Sequence, residues 1–235
     1  MRQVVKSKAR AAAGSDREAA AAKPVGANGS GRGQNPEATR QNIIDVATQE
    51  FARNGLSGAR VDEIAAKTGS SKRMIYYYFR DKEGLYVSVL EAAYRKVRTI
   101  EAGLDLEHLP PVEALRRLVE FTFDHHNTHE DFIRLVMIEN IHHGDYLDRS
   151  SIIQDLNVSA IGEIDRLYKR GVKAGLFRKG LAAIDLHWQI SALCFFNVSN
   201  RATFSKIFRL DMSTRKAQQA LREQVVEMVL RNVLE

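Results

Sequence analysis

The chain has 235 residues, 44% of them hydrophobic, with 35 Lys and Arg against 29 Asp and Glu. That suffices for the core of a small head and a larger body, and no apolar run approaches the roughly 20 residues that a membrane span needs. A single cysteine, Cys194, excludes an intramolecular disulfide and a Cys-rich zinc site and fits a reducing cytoplasm.

The charge is unevenly spread. Residues 1–35 hold seven Lys/Arg against Asp16 and Glu18, while the remainder is nearly balanced at 28 basic and 27 acidic. Rich in Ala, Gly and Ser and almost free of large apolar side chains, this stretch reads as a disordered basic tail, able at most to add unspecific phosphate contacts. It lacks the compact apolar segment of a signal peptide.

Asn35-Pro36-Glu37 supplies a cap, a fixed φ and a first-turn acid, so a helix starts there. Ile43, Ile44, Ala47 and Phe51 continue it at helical spacing to Asn54-Gly55. Val61–Lys82 then reads as two short helices around a tight turn. Ile64 and Ala65 face inward, and Gly69 can take the positive φ of the turn. Ser70 or Ser71 caps the second helix, where Ile75 and Tyr78 share an apolar side. The Ala65-x-x-x-Gly69 spacing predicts close approach of the helices at a small residue. This is the logic of a helix-turn-helix, whose second helix enters the DNA major groove. Lys72, Arg73, Met74, Tyr76 and Tyr77 would face DNA from that helix, with Ser71 at its start and Arg60 and Lys82 on flanking helix starts. The competing reading is a helical hairpin with a solvated basic face.

The pattern Thr39-Arg40, Phe51-Ala52-Arg53-Asn54-Gly55, Ile64-Ala65, Gly69-Ser70-Ser71-Lys72, Ile75-Tyr76-Tyr77-Tyr78-Phe79 and Asp81-Lys82-Glu83-Gly84-Leu85 resembles the TetR family of bacterial transcriptional regulators. The resemblance covers about fifty consecutive residues. It implies an all-α protein with a three-helix DNA-binding head, a helical effector-binding body, and a dimer that usually represses. The chain departs from the family at Ala59-Arg60, where a hydroxyl residue commonly precedes the second helix, and at Arg73 and Met74, where small residues or Thr are common. Arg60 would take over a phosphate contact, Arg73 would read guanine, and Met74 would pack on a thymine methyl.

Asp81 caps a fourth helix with Leu85, Val89, Ala93, Val97 and Ile100 in a stripe. Gly103 and Pro110-Pro111 break the chain, giving expected divisions at 1–35, 36–85 and 86–235. No proline follows Pro111, and nothing alternates like a strand. Helices are expected at 112–128, 131–140, 152–174 (stopped by Gly175), 185–201, and from a Ser213 cap to 234.

In the body, His125 and His129 stand four apart, but no HExxH spacing occurs and no metal is assigned. No phosphate loop, nucleophile elbow or nucleophile–base pair is present, so an enzyme is not expected. Aromatics mixed with His, Asn and Ser suggest a pocket for a small-molecule effector involving Phe123, His126, Met137, Asn140, Tyr146, Trp188, Cys194 and Asn197; an ordinary core with polar rims reads equally well. Glu130–Asp145 with 152–174 is also similar to the pyrimidine-sensing branch of the family, without fixing a ligand. On the last helices, Leu193, Ala217, Leu221, Val225 and Met228 are expected to form a dimer interface, because a terminal helix this apolar must lie deep in its own body or meet a partner. The expected function is a cytoplasmic, effector-responsive repressor that binds a palindromic operator as a dimer. The alternatives are a sequence-independent DNA-binding protein and a helical metal-dependent enzyme.

Overall fold

The structure, a computed structural model, describes residues 35–235, so the expectations for the basic tail lie outside it. The described chain forms helices α1 (Pro36–Gly58), α2 (Val61–Thr68), α3 (Lys72–Phe79), α4 (Lys82–Ala102), α5 (Pro111–Thr128), α6 (Glu130–Ile141), α7 (Ser151–Lys173), α8 (Ala183–Ser199), α9 (Arg201–Phe208) and α10 (Arg215–Val233). The predicted starts are built from the predicted chemistry. Asn35 accepts from Glu37 N at 3.1 Å ahead of Pro36, and Asp81 accepts from Gly84 N at 2.7 Å. Gly55 takes a φ of +69°, so α1 kinks where the sequence stops it and then runs one more turn.

Two cores result. The first joins Ile43, Ala47 and Phe51 of α1 to Ile64 of α2, Ile75 and Phe79 of α3, and Leu85, Tyr86 and Val89 of α4. Phe51 and Tyr86 meet edge to face with centroids 5.0 Å apart. Burying each such ring contributes about 1.5–3 kcal/mol. Leu135 of α6 and Ile153 of α7 are buried in the same core, so helices beyond the Pro110-Pro111 break help to close it. The second core gathers α5, α7, α8 and α10 around Leu115, Phe123, Phe177, Ile190 and Val229.

Three expectations fail locally. Asn200 ends α8 and a further helix, α9, follows where the sequence suggested only a connection. Thr214 rather than Ser213 caps the last helix, accepting from Ala217 N at 3.3 Å, because Asp211 already engages Ser213. Gly69 provides conformation and not clearance: its φ is +66°, and a Cβ there would meet nothing within 4 Å. The close approach falls at Gly84, where a Cβ would lie 2.2 Å from the Phe79 carbonyl oxygen.

Candidate nucleic-acid interface and body cavity

The first core fixes α3 by one side only. Ile75 and Phe79 are buried, and Tyr78 is half-buried beside them. The Ser71 hydroxyl oxygen accepts from Met74 N at 3.1 Å and starts the helix. On the other side Arg73, Met74, Tyr76 and Tyr77 are exposed, Tyr77 to 79%. An exposed tyrosine pair beside two cations, on a helix only eight residues long, is a costly surface unless something covers it.

The cations around α3 are not equivalent. Arg73 has no ion pair among the described residues. Lys72 pairs with Asp62, and Arg60 approaches the same carboxylate at 4.0 Å. Lys82 Nζ donates to the Ser57 carbonyl oxygen at 3.2 Å, tying the start of α4 to the end of α1. Beneath them, buried Glu50 accepts from Lys67 Nζ at 2.9 Å and from Asn54 at 2.7 Å. The Lys67 hydrogen bond holds the Glu50 carboxyl below the usual range against its burial.

A cavity of about 420 Å³ lies among α4, α5, α6, α7 and α8. Its apolar walls include Tyr94, Phe121, Phe132, Val136, Ile190 and Phe195. Arg98 enters from α4, pairs with Glu101 and donates to Asn157 Oδ1 at 2.8 Å. Three imidazoles join it: His125, His126 and His187. Burial above all pushes each down to about 4, and the Arg98 charge opposes protonation at every one. They are neutral donors and acceptors at physiological pH. Neither His125 nitrogen, nor His126 Nδ1, nor Arg98 Nε has a hydrogen-bond partner among the described residues, although all four atoms are buried.

Of the side chains expected in a pocket, His126, Asn140 and Trp188 line this cavity. Five do not. Phe123 and Cys194 are packed into the second core, and burial pushes the Cys194 thiol up to about 12. Asn197 is spent on Gln218. Met137 is exposed, and Tyr146 stacks edge-on against Tyr86 near Glu83. Phe123, Met137, Cys194 and Asn197 stand on other faces of their helices, and Tyr146 lies in the turn before Leu147. Arg98 was missed because it stands on the helix read as a connector. The regular spacing of Phe132, Val136 and Asn140 was the available sign for the α6 wall.

Helix α6 has two engaged sides. Phe132, Val136 and Asn140 face the cavity, while Leu135 is buried in the first core. Glu139 is buried near the Tyr86 hydroxyl; among the described residues neither Tyr86 OH nor Glu139 Oε1 has a hydrogen-bond partner, while Glu139 Oε2 accepts from Leu147 N at 3.2 Å. Burial, then this carboxylate, keeps the Tyr86 phenol protonated.

The expected interface is only partly on the surface. Val225 is 1% exposed and points, with Val226, Val229 and Leu230, into its own second core. Leu193 and Leu221 pack half-buried against that core, and Ala217 is half-buried. Met228 alone of the five is open, at 47%. The last helix satisfies most of its apolar arc inside the chain. The open apolar stripe is instead on α8, where Ile184, Trp188, Ala192 and Phe196 recur every fourth residue, Trp188 being 70% exposed. Among the described residues no group of three or more His, Cys, Asp or Glu is placed to hold a metal ion, and no helix is long and apolar enough to cross a membrane.

Comparison with known proteins gives two family matches. Residues 43–89 match the model described as bacterial regulatory proteins, tetR family, and residues 111–229 match the tetracyclin repressor-like C-terminal domain. The HTH-type transcriptional repressor NicS of Pseudomonas putida is 36% identical over 79% of this chain and 88% of its own length. Among solved structures, the putative regulator SCO4942 of Streptomyces coelicolor is 26% identical, covers 83% of this chain and 98% of its own, and superposes with a TM-score of 0.63. FadR of Bacillus subtilis, solved with stearoyl-CoA, shares the fold at 18% identity and a TM-score of 0.63, over 82% of this chain and 98% of its own.

Proposed function

The chain belongs to the TetR family and is a DNA-binding transcriptional regulator; from that premise we propose that it is an effector-responsive repressor that binds a palindromic operator as a dimer. The head is 36–85 and the body 86–235. Arg73, Met74, Tyr76 and Tyr77 read or flank the major groove, while Arg60, Ser71, Lys72 and Lys82 hold phosphates. The observation that carries this reading is the division of α3, buried through Ile75 and Phe79 and open through Arg73 and Tyr77.

The cavity is the effector site. Neighbours of the same fold solved with choline and with stearoyl-CoA support a body that takes small molecules. A ligand against Phe132, Val136 and Asn140 pushes on α6, whose other side bears on the head through Leu135 and Glu139. Ligand and operator are then linked by one coupling free energy, reciprocal between them. The second subunit sits on the α8 stripe about a two-fold axis.

Selection from a genomic fragment library, followed by gel shifts of recovered and random fragments, tests the reading. Recovered fragments should share a palindrome, and binding to it should weaken on Arg73→Ala while binding to random fragments does not. Equal binding to random DNA at physiological salt overturns it.

A further inference from the structure

The cavity is built for one charge class. Among the buried side-chain atoms of its lining, those without a hydrogen-bond partner are all nitrogens: both of His125, Nδ1 of His126 and Nε of Arg98. His125 and His126 are at least nine-tenths buried. The single carboxylate in the lining, Glu101, is already taken by Arg98. Arg98 Nε–H is a donor, each neutral imidazole carries one N–H and donates from both nitrogens once protonated, and no anion is free, so the wall is complementary to oxygen acceptors and repels cations. The aromatic side chains around it suit a flat ring, and about 420 Å³ falls within the range of small-molecule pockets.

The other charged and titratable groups near the two imidazoles reinforce the sign. From α4 come Lys96 and Arg98 with Tyr94, and Glu101 paired to Arg98; from the α5–α6 corner come His129, with Glu130 and Asp131 on the outer side of His125; from α8 comes His187. Asn157, from α7, is uncharged. Apart from the Cys194 backbone, which hydrogen-bonds His126 and favours its protonated form, the charges that His125 and His126 feel are positive.

Resting on the reading of this cavity as the effector site, we propose that its ligand is a small planar organic anion, a ring bearing a carboxylate, whose oxygens engage Arg98, His125 and His126. The anion supplies the counter-charge that these imidazoles lack, so its arrival brings a proton from solvent onto the His125–His126 pair. The bound state is then an ion pair inside the cavity, with no net charge added to it. Binding that takes up one proton tightens about tenfold for each unit that pH falls.

Three rings of matched size separate the possibilities: benzoate, benzamide and benzylamine, titrated against the full chain between about pH 7.5 and about pH 6, where their charges differ. Trp188, the only tryptophan, stands at the cavity rim and reports by its fluorescence. Benzoate should bind at least about tenfold more tightly than benzamide at the lower pH, about 1.4 kcal/mol, with close to the tenfold-per-unit dependence. Benzylamine should not bind. In the His125→Gln/His126→Gln variant, which keeps amide donors and acceptors but cannot titrate, the pH dependence should vanish. Val136→Trp, which fills the cavity, should abolish binding.

Benzamide binding as tightly as benzoate, and lost in Val136→Trp, overturns the anion while leaving the cavity as effector site. Benzoate binding that Val136→Trp does not weaken overturns both. A pH-independent benzoate affinity, or no response to any of the three rings, also overturns the proposal.

Discussion

Asn197 and Gln218 exchange amide hydrogen bonds inside the body, Asn197 Nδ2 donating to Gln218 Oε1 at 2.9 Å and Gln218 Nε2 returning to Asn197 Oδ1 at 3.0 Å. Gln218 Nε2 also donates to the Met212 carbonyl at 2.6 Å, so one pair fixes α10 against both α8 and the loop before it. Removing one amide strands the other. Asn197→Leu should cost about 1–3 kcal/mol in urea unfolding, and Asn197→Leu/Gln218→Leu less than the sum of the single changes. Strict additivity would show that the two amides act independently.

Acid should first strain the body. The folded imidazoles of His125, His126 and His187 stay neutral down to about 4, whereas unfolded histidine takes its proton near 6.5. The unfolded chain therefore binds more protons between those values, and their contribution is complete above about 6.5. It declines as pH falls toward about 4 and changes no further below. Urea midpoints at a series of pH values should fall across that window, less steeply in His125→Gln/His126→Gln. A saturating anionic ligand should remove part of the slope, since it leaves the folded imidazoles protonated too.

The head has its own acid limit. Glu50 is held below its ordinary value chiefly by Lys67, so its contribution is present above the unfolded carboxylate value and is lost as pH falls through the lowered folded one. Glu50→Gln should flatten the melting temperature between about pH 5 and about pH 3 relative to the parent. An identical acid profile would deny the pair any role.

Asp62 restrains two of the proposed phosphate contacts, Lys72 and Arg60. Asp62→Asn should tighten binding to all DNA and steepen its salt dependence, whereas Arg73→Ala should cost about 1–3 kcal/mol at the operator alone. Lys82→Ala should lower the salt slope by about one and also loosen the end of α1, because its ammonium group rests on the Ser57 carbonyl. Gel shifts across a salt series distinguish the three patterns.

The two candidate interfaces part on substitution. Trp188→Glu should leave a folded monomer by light scattering with weakened operator binding, because Trp188 is open in the single chain. Val225→Glu should unfold the body, since it would place an unpaired charge in the second core. A dimer unaffected by Trp188→Glu would move the interface off α8.

What was legible in the sequence was whatever local spacing dictates. The Asn35 and Asp81 caps and the positive φ of Gly69 follow from chemistry within a few residues, and the structure builds all three. The direction in which a body helix turns its apolar side is set by partners far along the chain. Val225 was read as outward because nothing near it says that α10 lies against α5 and α8. The amide of Asn197 looks the same in sequence whether it meets a ligand or Gln218. Arg98 shows the converse: a charge on a helix read as a connector gains its meaning only when Glu101, Asn157 and three histidines converge on it.

Gly171 leaves the space that the Phe177 ring fills; a Cβ there would sit 2.0 Å from the ring. The last residues close over this arrangement. Phe177 bridges to Leu234, Arg178 N donates to the Val233 carbonyl at 2.9 Å, and the Arg178 guanidinium spans the Asn232 carbonyl and amide oxygens at 2.5 and 2.7 Å. Position 235 is thus woven into the second core's edge instead of trailing from it. Losing the chain from Val233 onward would open the seal over Phe177 and turn the product into a substrate for cellular proteolysis.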